Sequence, residues 1–173
     1  VQKYITKRSQ INIKQVNKHW LRHIKTIEKN NCRNLLEIGG GKSLEQNIYF
    51  AYHFDNSIHQ TAIDINPMID FQLFNKASEE ISVLVKKKFK GNIDCLQDII
   101  SKYNIHYQSP SALENLIESK TKFDICTSTA TLEHFSKEDL NSFLNKINFV
   151  LSNKRLISSI IDYSDHYAHT DNK

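Results

Sequence analysis

An α/β fold is what this sequence predicts: a Rossmann-like parallel sheet of about five strands with flanking helices. Three observations predict it. Short apolar runs alternate with segments of helical spacing along most of the chain. One run, Leu35-Leu36-Glu37-Ile38, leads straight into Gly39-Gly40-Gly41 and then a helix start. A second run, Thr61-Ala62-Ile63-Asp64-Ile65, is closed by Asn66-Pro67. A strand, a bare glycine turn and a helix N-terminus are the parts of a nucleotide crevice in an open sheet.

The chain has 173 residues, which suits one domain. We divide it into a helical segment over 1–30 and a Rossmann-like domain over 31–173. With 39% hydrophobic and 24% charged residues it is somewhat polar, yet its periodic segments argue against disorder. A net charge of +4 permits an acidic partner without requiring one. Cys32, Cys95 and Cys126 are far apart, with no CxxC spacing. That excludes an evident disulfide framework or zinc site, so no metal is expected, and it fits a reducing cytoplasm. No apolar run approaches the ~20 residues of a membrane span. The sequence begins at Val1 rather than Met, as a fragment or a processed chain would.

In order, Ile13, Val16, Trp20, Ile24 and Ile27 keep helical spacing, with Lys14, Lys18, Arg22 and Lys25 opposite. The spacing predicts an amphipathic helix whose basic face is solvated, rather than one facing RNA or a membrane. The first strand and glycine turn follow. Ser43, with Gln46 three residues on, predicts a capping box for the next helix, in which Leu44, Ile48, Ala51 and Tyr52 face inward. Asp55-Asn56-Ser57 is a turn before the second strand. Ile81, Leu84 and Val85 mark a helix, and Lys86, Lys87, Lys88 and Lys90 its solvated end. Past Gly91-Asn92, a short helix holds Leu96, Ile99, Ile100 and Tyr103. Ile105-His106-Tyr107 is a third strand and Phe123-Asp124-Ile125-Cys126-Thr127 a fourth. Ser136, with Asp139, caps a helix carrying Leu140, Phe143, Leu144, Ile147, Val150 and Leu151 on one face. Ser152 to Arg155 form a turn, and Leu156 to Ile161 the last strand.

Two nucleotide motifs are excluded or broken. A phosphate-binding loop needs GxxxxGK[ST], and Leu36 stands at its first glycine. A dinucleotide fingerprint needs GxGxxG, and Leu44 stands at its third. A third reading fits. From about Leu35 to Ile161 the chain resembles the class I S-adenosylmethionine-dependent methyltransferases. The motifs that carry the likeness are Leu35 to Gly41, Ala62-Ile63-Asp64-Ile65-Asn66, Phe123-Asp124-Ile125-Cys126 and Thr131-Leu132-Glu133-His134-Phe135. The donor has no phosphate, so it needs neither the third glycine nor a clamping lysine.

The resemblance implies S-adenosyl-L-methionine as cofactor and a site for it. Gly39, Gly40 and Gly41 would let the donor's amino-acid end lie against backbone, and Glu37 would hold its amino group. Asp64, close to the ~20 residues past the glycines that the rule expects, would accept both ribose hydroxyls. Ile65 would pack on the purine, Ser111-Ala112 would stand where an Asp-Ala pair faces adenine, and Thr127 to Thr129, with Ser128 between them, would line the pocket. For the acceptor, the candidates past the fourth and fifth strands are His134, a possible base, and Asp162 and His166 in the stretch Asp162-Tyr163-Ser164-Asp165-His166-Tyr167-Ala168-His169.

The implied function is methyl transfer to a small-molecule or glycan-precursor acceptor, the latter by analogy with polysaccharide-biosynthesis enzymes. The alternative is a non-catalytic or truncated member that binds the donor, or a partner chain, without turnover. Ser128-Thr129-Ala130-Thr131 stands where base-methylating enzymes carry Asn-Pro-Pro-Tyr, which argues against nucleic acid. The family's sheet usually has two further strands beside the fifth, and this sequence stops short of them. An exposed fifth strand would favour a homo-oligomer or a partner chain at that edge.

Overall fold

A computed structural model of the chain describes residues 13–162. The elements run α1 (Ile13–Lys29), β1 (Asn34–Ile38), α2 (Glu45–His53), β2 (His59–Ile63), α3 (Phe71–Leu84), α4 (Leu96–Tyr103), β3 (Ile105–Gln108), α5 (Leu113–Glu118), β4 (Phe123–Thr129), a 3-10 turn (Leu132–His134), α6 (Lys137–Val150) and β5 (Leu151–Ile160). The five strands form one parallel sheet in the order β3-β2-β1-β4-β5. Order reverses between β1 and β4, and that is where open sheets place ligands, at the strands' C-terminal ends.

Strand alternation splits the core into two layers. Leu35 points to one face, with Trp20, Ile24 and Ile27 of α1, Ile48 and Phe50 of α2, Phe74 and Ile81 of α3, and Tyr103 of α4. Leu36 points to the other, with Leu113 and Leu116 of α5 and Phe143, Ile147 and Val150 of α6. Helices on both faces explain why the strands read as continuous apolar runs. The basic residues of α1 face solvent as expected, with Lys18, Arg22 and Lys25 exposed. The lysine run after α3 is tied down locally: Lys87 pairs with Asp55 at 2.8 Å, and Lys90 Nζ donates to Asn56 at 2.6 Å. Among the described residues no helix is long and apolar enough to cross a membrane.

Four expectations need correction. Ser43 and Gln46 form no capping box. Leu44 is the N-cap of α2, in the left-handed region (φ 50°) with no side-chain cap, and Gln46 bonds elsewhere. The left-handed backbone costs Leu44 about 1–2 kcal/mol, which its complete burial can offset. β2 starts and ends two residues earlier than read, so Asp64 and Ile65 lie just past it. Helix α5 was not expected. No turn separates α6 from β5: the strand begins at Leu151 and absorbs Ser152 to Arg155 where its pairing with β4 shifts register. The Ser136 cap of α6 is present, its Oγ accepting from the Asp139 N–H at 3.0 Å.

The glycine turn is constrained unevenly. Gly39 has φ +79°, and a Cβ there would lie 2.4 Å from Thr131 Oγ1. Gly41 has φ +70°, but a Cβ there meets nothing within 4 Å. Gly41→Ala should therefore cost about 1 kcal/mol for its backbone alone. Gly39→Ala should cost on the order of 3 kcal/mol, because strain and overlap add. Urea unfolding of the two variants checks this; equal losses would contradict the packing of β1 against the segment after β4.

Candidate functional site

Two cavities open at the C-terminal ends of the strands, and Gly39 lines both. The larger, of about 490 Å³, has Asp64, Ile65 and Asn66 after β2 and Ser111 and Ala112 after β3 on one side. Thr131, His134 and Phe135 after β4, with Phe143 and Lys146 of α6, form the other. The smaller, of about 190 Å³, lies over Gly39, Gly40 and Gly41 and is walled by Glu37, Gln46, Asn47, Thr129 and Trp20. A ligand crossing Gly39 would put one end in each.

In the larger cavity Asp64 is held from behind. The Tyr107 hydroxyl and the Gly41 backbone N–H face its carboxylate and favour its charged form, and Tyr107 is itself fixed by the Met68 N–H at 3.1 Å. Asp64 Oδ2 remains buried with no hydrogen-bond partner. Burial raises the Asp64 pKa, with those two groups opposing it. A buried acceptor without a partner is costly, so a ligand bringing a hydroxyl or N–H donor would be favoured at that oxygen. Ile65, 71% exposed, offers an apolar face beside it.

In the smaller cavity Glu37 is almost wholly buried. Thr127 Oγ1 and Gln46 Nε2 both donate to its Oε2. Burial pushes its pKa up from 4.5 to about 8, against the pull of those two donors and with a smaller upward push from Asp64. Asn47 Oδ1 is a second buried acceptor without a partner on this wall. A buried acid that resists ionisation and an unused amide oxygen together suit a cation with N–H donors.

The network continues outward from Gln46. Thr129 Oγ1 donates to Gln46 Oε1 at 2.7 Å. His23 of α1 reaches Thr129 Oγ1 with Nε2 at 2.9 Å and Ser158 Oγ with Nδ1 at 2.7 Å. Burial, with a smaller contribution from His19, lowers the imidazole to about 4, so the ring is neutral near pH 7.

No known protein family matches the sequence, and no curated protein does. Solved structures do match. One is a DhpI-SAM-HEP complex, at 10% identity and TM-score 0.51, covering 99% of this chain and 66% of that one. Another is "a putative caffeoyl-CoA O-methyltransferase from Staphylococcus aureus", at 17% identity and TM-score 0.52, covering 88% of this chain and 68% of that one. The fold is that of class I methyltransferases. The chain spans about two thirds of the length of these two methyltransferase-fold proteins.

Within that methyltransferase fold, Glu37, Gly39, Gly40 and Gly41 stand around the smaller cavity, and Asp64, Ile65, Ser111, Ala112 and His134 around the larger. Thr127 and Ser128 do not line either one. Both lie inside β4, where Thr127 holds Glu37 from beneath and Ser128 donates to the Ile38 carbonyl at 3.3 Å. Asp162 is exposed beyond β5 and lines neither cavity. His166 lies outside the described residues. Asp94, Cys95 and Asp98, a possible metal-ligating group among the described residues, sit at the head of α4 and line neither cavity.

His23, Trp20 and Asn47 were not read as site residues. Their spacing held the signal: His23 follows Trp20 by three and precedes Ile27 by four, and Asn47 follows Leu44 by three and precedes Ala51 by four. Each is a polar or aromatic group on the apolar face of a helix.

Glu37 gives the protein a pH signature. Its folded value lies above the ordinary 4.5, so between about 4.5 and 8 the folded chain keeps a proton the unfolded chain has lost. Stability from this group therefore falls as pH rises through that window. Relative to the wild type, Glu37→Gln should gain up to about 1.4 kcal/mol per pH unit there. Urea unfolding of both proteins at pH 5 and pH 8 checks it; a constant difference would contradict a buried, protonated Glu37.

Proposed function

We propose that this chain binds S-adenosylmethionine and transfers its methyl group to a small-molecule acceptor. The observation that carries the reading is the pair of buried acids at adjacent strand ends, Glu37 and Asp64, one on each side of Gly39. The donor has matching groups at matching ends: an ammonium for Glu37 and Asn47, and ribose hydroxyls for Asp64 Oδ2. Ile65 offers an apolar face to the purine, with Ser111 and Ala112 beyond it. The residues present therefore fit the donor. Once bound, it supplies a methyl group on a cationic sulfur that needs little further activation.

What the chain adds is placement and exclusion of water. Gly39, without a side chain, keeps the crossing between the cavities open. His134, exposed on the turn after β4, is the candidate to take a proton from the acceptor. The small-molecule acceptor is supported by the fold-level likeness to a protein described as acting on caffeoyl-CoA. A glycan-precursor acceptor rests on the stretch from Asp162 to His169, of which only Asp162 is described. Placement in the cytoplasm rests on cysteine usage alone.

The non-catalytic alternative has one observation in its favour. β5 is an edge strand in the described sheet, and Ile157 on it is 41% exposed, with Phe149 and Leu144 of α6 exposed as well. A second copy or a partner chain adding a strand there would cover them. Sedimentation of the isolated chain tests this: a concentration-dependent dimer lost on Ile157→Lys supports it, and a monomer throughout contradicts it.

Calorimetry with S-adenosylhomocysteine tests the donor site. Asp64→Ala should weaken binding by about 10- to 100-fold, since hydrogen bonds to a charged acceptor are lost. Affinity should also rise with pH, by up to about tenfold per unit below pH 8, because a bound ammonium ionises Glu37 and expels its proton. Absence of binding by the wild type, or pH-independent binding, would contradict the reading.

A further inference from the structure

The hydrogen bonds between α1 and Glu37 form a chain with one direction. A hydroxyl has a single proton to give. Thr129 gives its proton to Gln46 Oε1, so at its other contact it must accept. That contact is His23 Nε2, which must therefore carry a proton. The neutral ring then has a bare Nδ1, which accepts from Ser158. At the far end, Gln46 turns its amide N–H groups to Glu37. Five side chains from five elements are thus set in one sense: Ser158 of β5, His23 of α1, Thr129 of β4, Gln46 of α2 and Glu37 of β1.

The directionality matters because Gln46 can flip. Reversed, it would turn its oxygen to Glu37, which suits a protonated acid and opposes a carboxylate. Only the observed sense sets a Gln46 donor beside that of Thr127 at Glu37, which favours its charged form toward a cation. His23 completes the chain: with its proton on Nε2 it donates to Thr129, which leaves the Thr129 proton for Gln46. The same helix brings Trp20 to the wall of the smaller cavity. Helix α1 is therefore part of that cavity both by contact and through this chain.

We propose that His23 is a positioning residue for the ammonium end of the ligand, acting through Thr129 and Gln46 on Glu37. The proposal deepens the donor-site reading and rests on it. The bland alternative is that His23 merely pins α1 to the sheet. In that case its loss would weaken the whole fold, with no preference for one end of the ligand.

A pair of ligands separates the two. S-adenosylhomocysteine carries the amino-acid end, and 5′-methylthioadenosine lacks it while keeping the nucleoside. Binding of both is measured by fluorescence of Trp20, the one tryptophan in the chain, and by calorimetry. His23→Leu should weaken S-adenosylhomocysteine by about tenfold or more. It should leave methylthioadenosine within about twofold, the error expected of an unaffected site. His23→Gln, whose amide can reach Thr129, should recover most of the loss. Thr129→Val breaks the same chain while the His23–Ser158 bond still ties α1 to the sheet, and it should show the same split, which covers the case that His23→Leu does not fold. Equal weakening of both ligands, or none, in Thr129→Val or a folded His23→Leu overturns the proposal alone. A wild type that binds neither ligand overturns the donor-site reading and this proposal together.

Discussion

At the end of β1 the backbone turns so close to the segment after β4 that no side chain fits between them. Gly39 is required there twice, once by its positive φ and once by Thr131, which occupies the place of a Cβ. The rest of the site depends on that contact. It joins the strands at which the sheet order reverses, and it leaves a narrow crossing with a cavity on either side. Gly41, equally positive in φ, meets nothing, so its role is to leave space open rather than to pack.

The two acids flanking this crossing are placed by register. β1 and β2 pair with Ile38 opposite Ile63, so Asp64 begins the segment beyond β2 just where Gly39 leaves β1. Both carboxylates are buried, and burial pushes both toward the neutral form. Neither has a basic side chain as a hydrogen-bond partner. The partners of Glu37 are a hydroxyl and an amide, which orient it without neutralising it. Such a pair costs the free protein stability and favours a ligand that brings donors to one acid and a cation to the other. Stability given up at a site in this way is a common mark of function.

Much of this was legible in the sequence. The alternation of runs and the glycine turn disclosed the parallel sheet, and Asp64 stood out because it stands at the end of the second run, at the spacing from the glycine turn expected of a ribose acid. Leu44 broke the dinucleotide fingerprint in the sequence, and in the structure its side chain lies where a Cβ on Gly40 would go. Other features were hidden for physical reasons. Helix α5, at six residues, is too short to show a period. Ser43 and Gln46 mimicked a capping box because the same residue types serve caps and buried networks. Thr127, at the end of the expected fourth strand, and Ser128 past it were expected to line the pocket because threonine and serine suit both strands and turns. His23 was masked by Arg22 and Lys25 beside it, although its own spacing lay on the apolar face. A buried polar group on an apolar helix face is the sequence signal that most deserved weight.

In the proposed complex a single two-ended ligand crosses Gly39 with its charged end toward α1. A crystal structure of the chain with S-adenosylhomocysteine measures this directly. Ribose hydroxyls are expected within hydrogen-bond distance of Asp64 Oδ2 and the amino group against Glu37 and Asn47, with the Gln46–Thr129–His23 contacts kept. A ligand bound in the opposite sense, or confined to one cavity with Glu37 untouched, would contradict it.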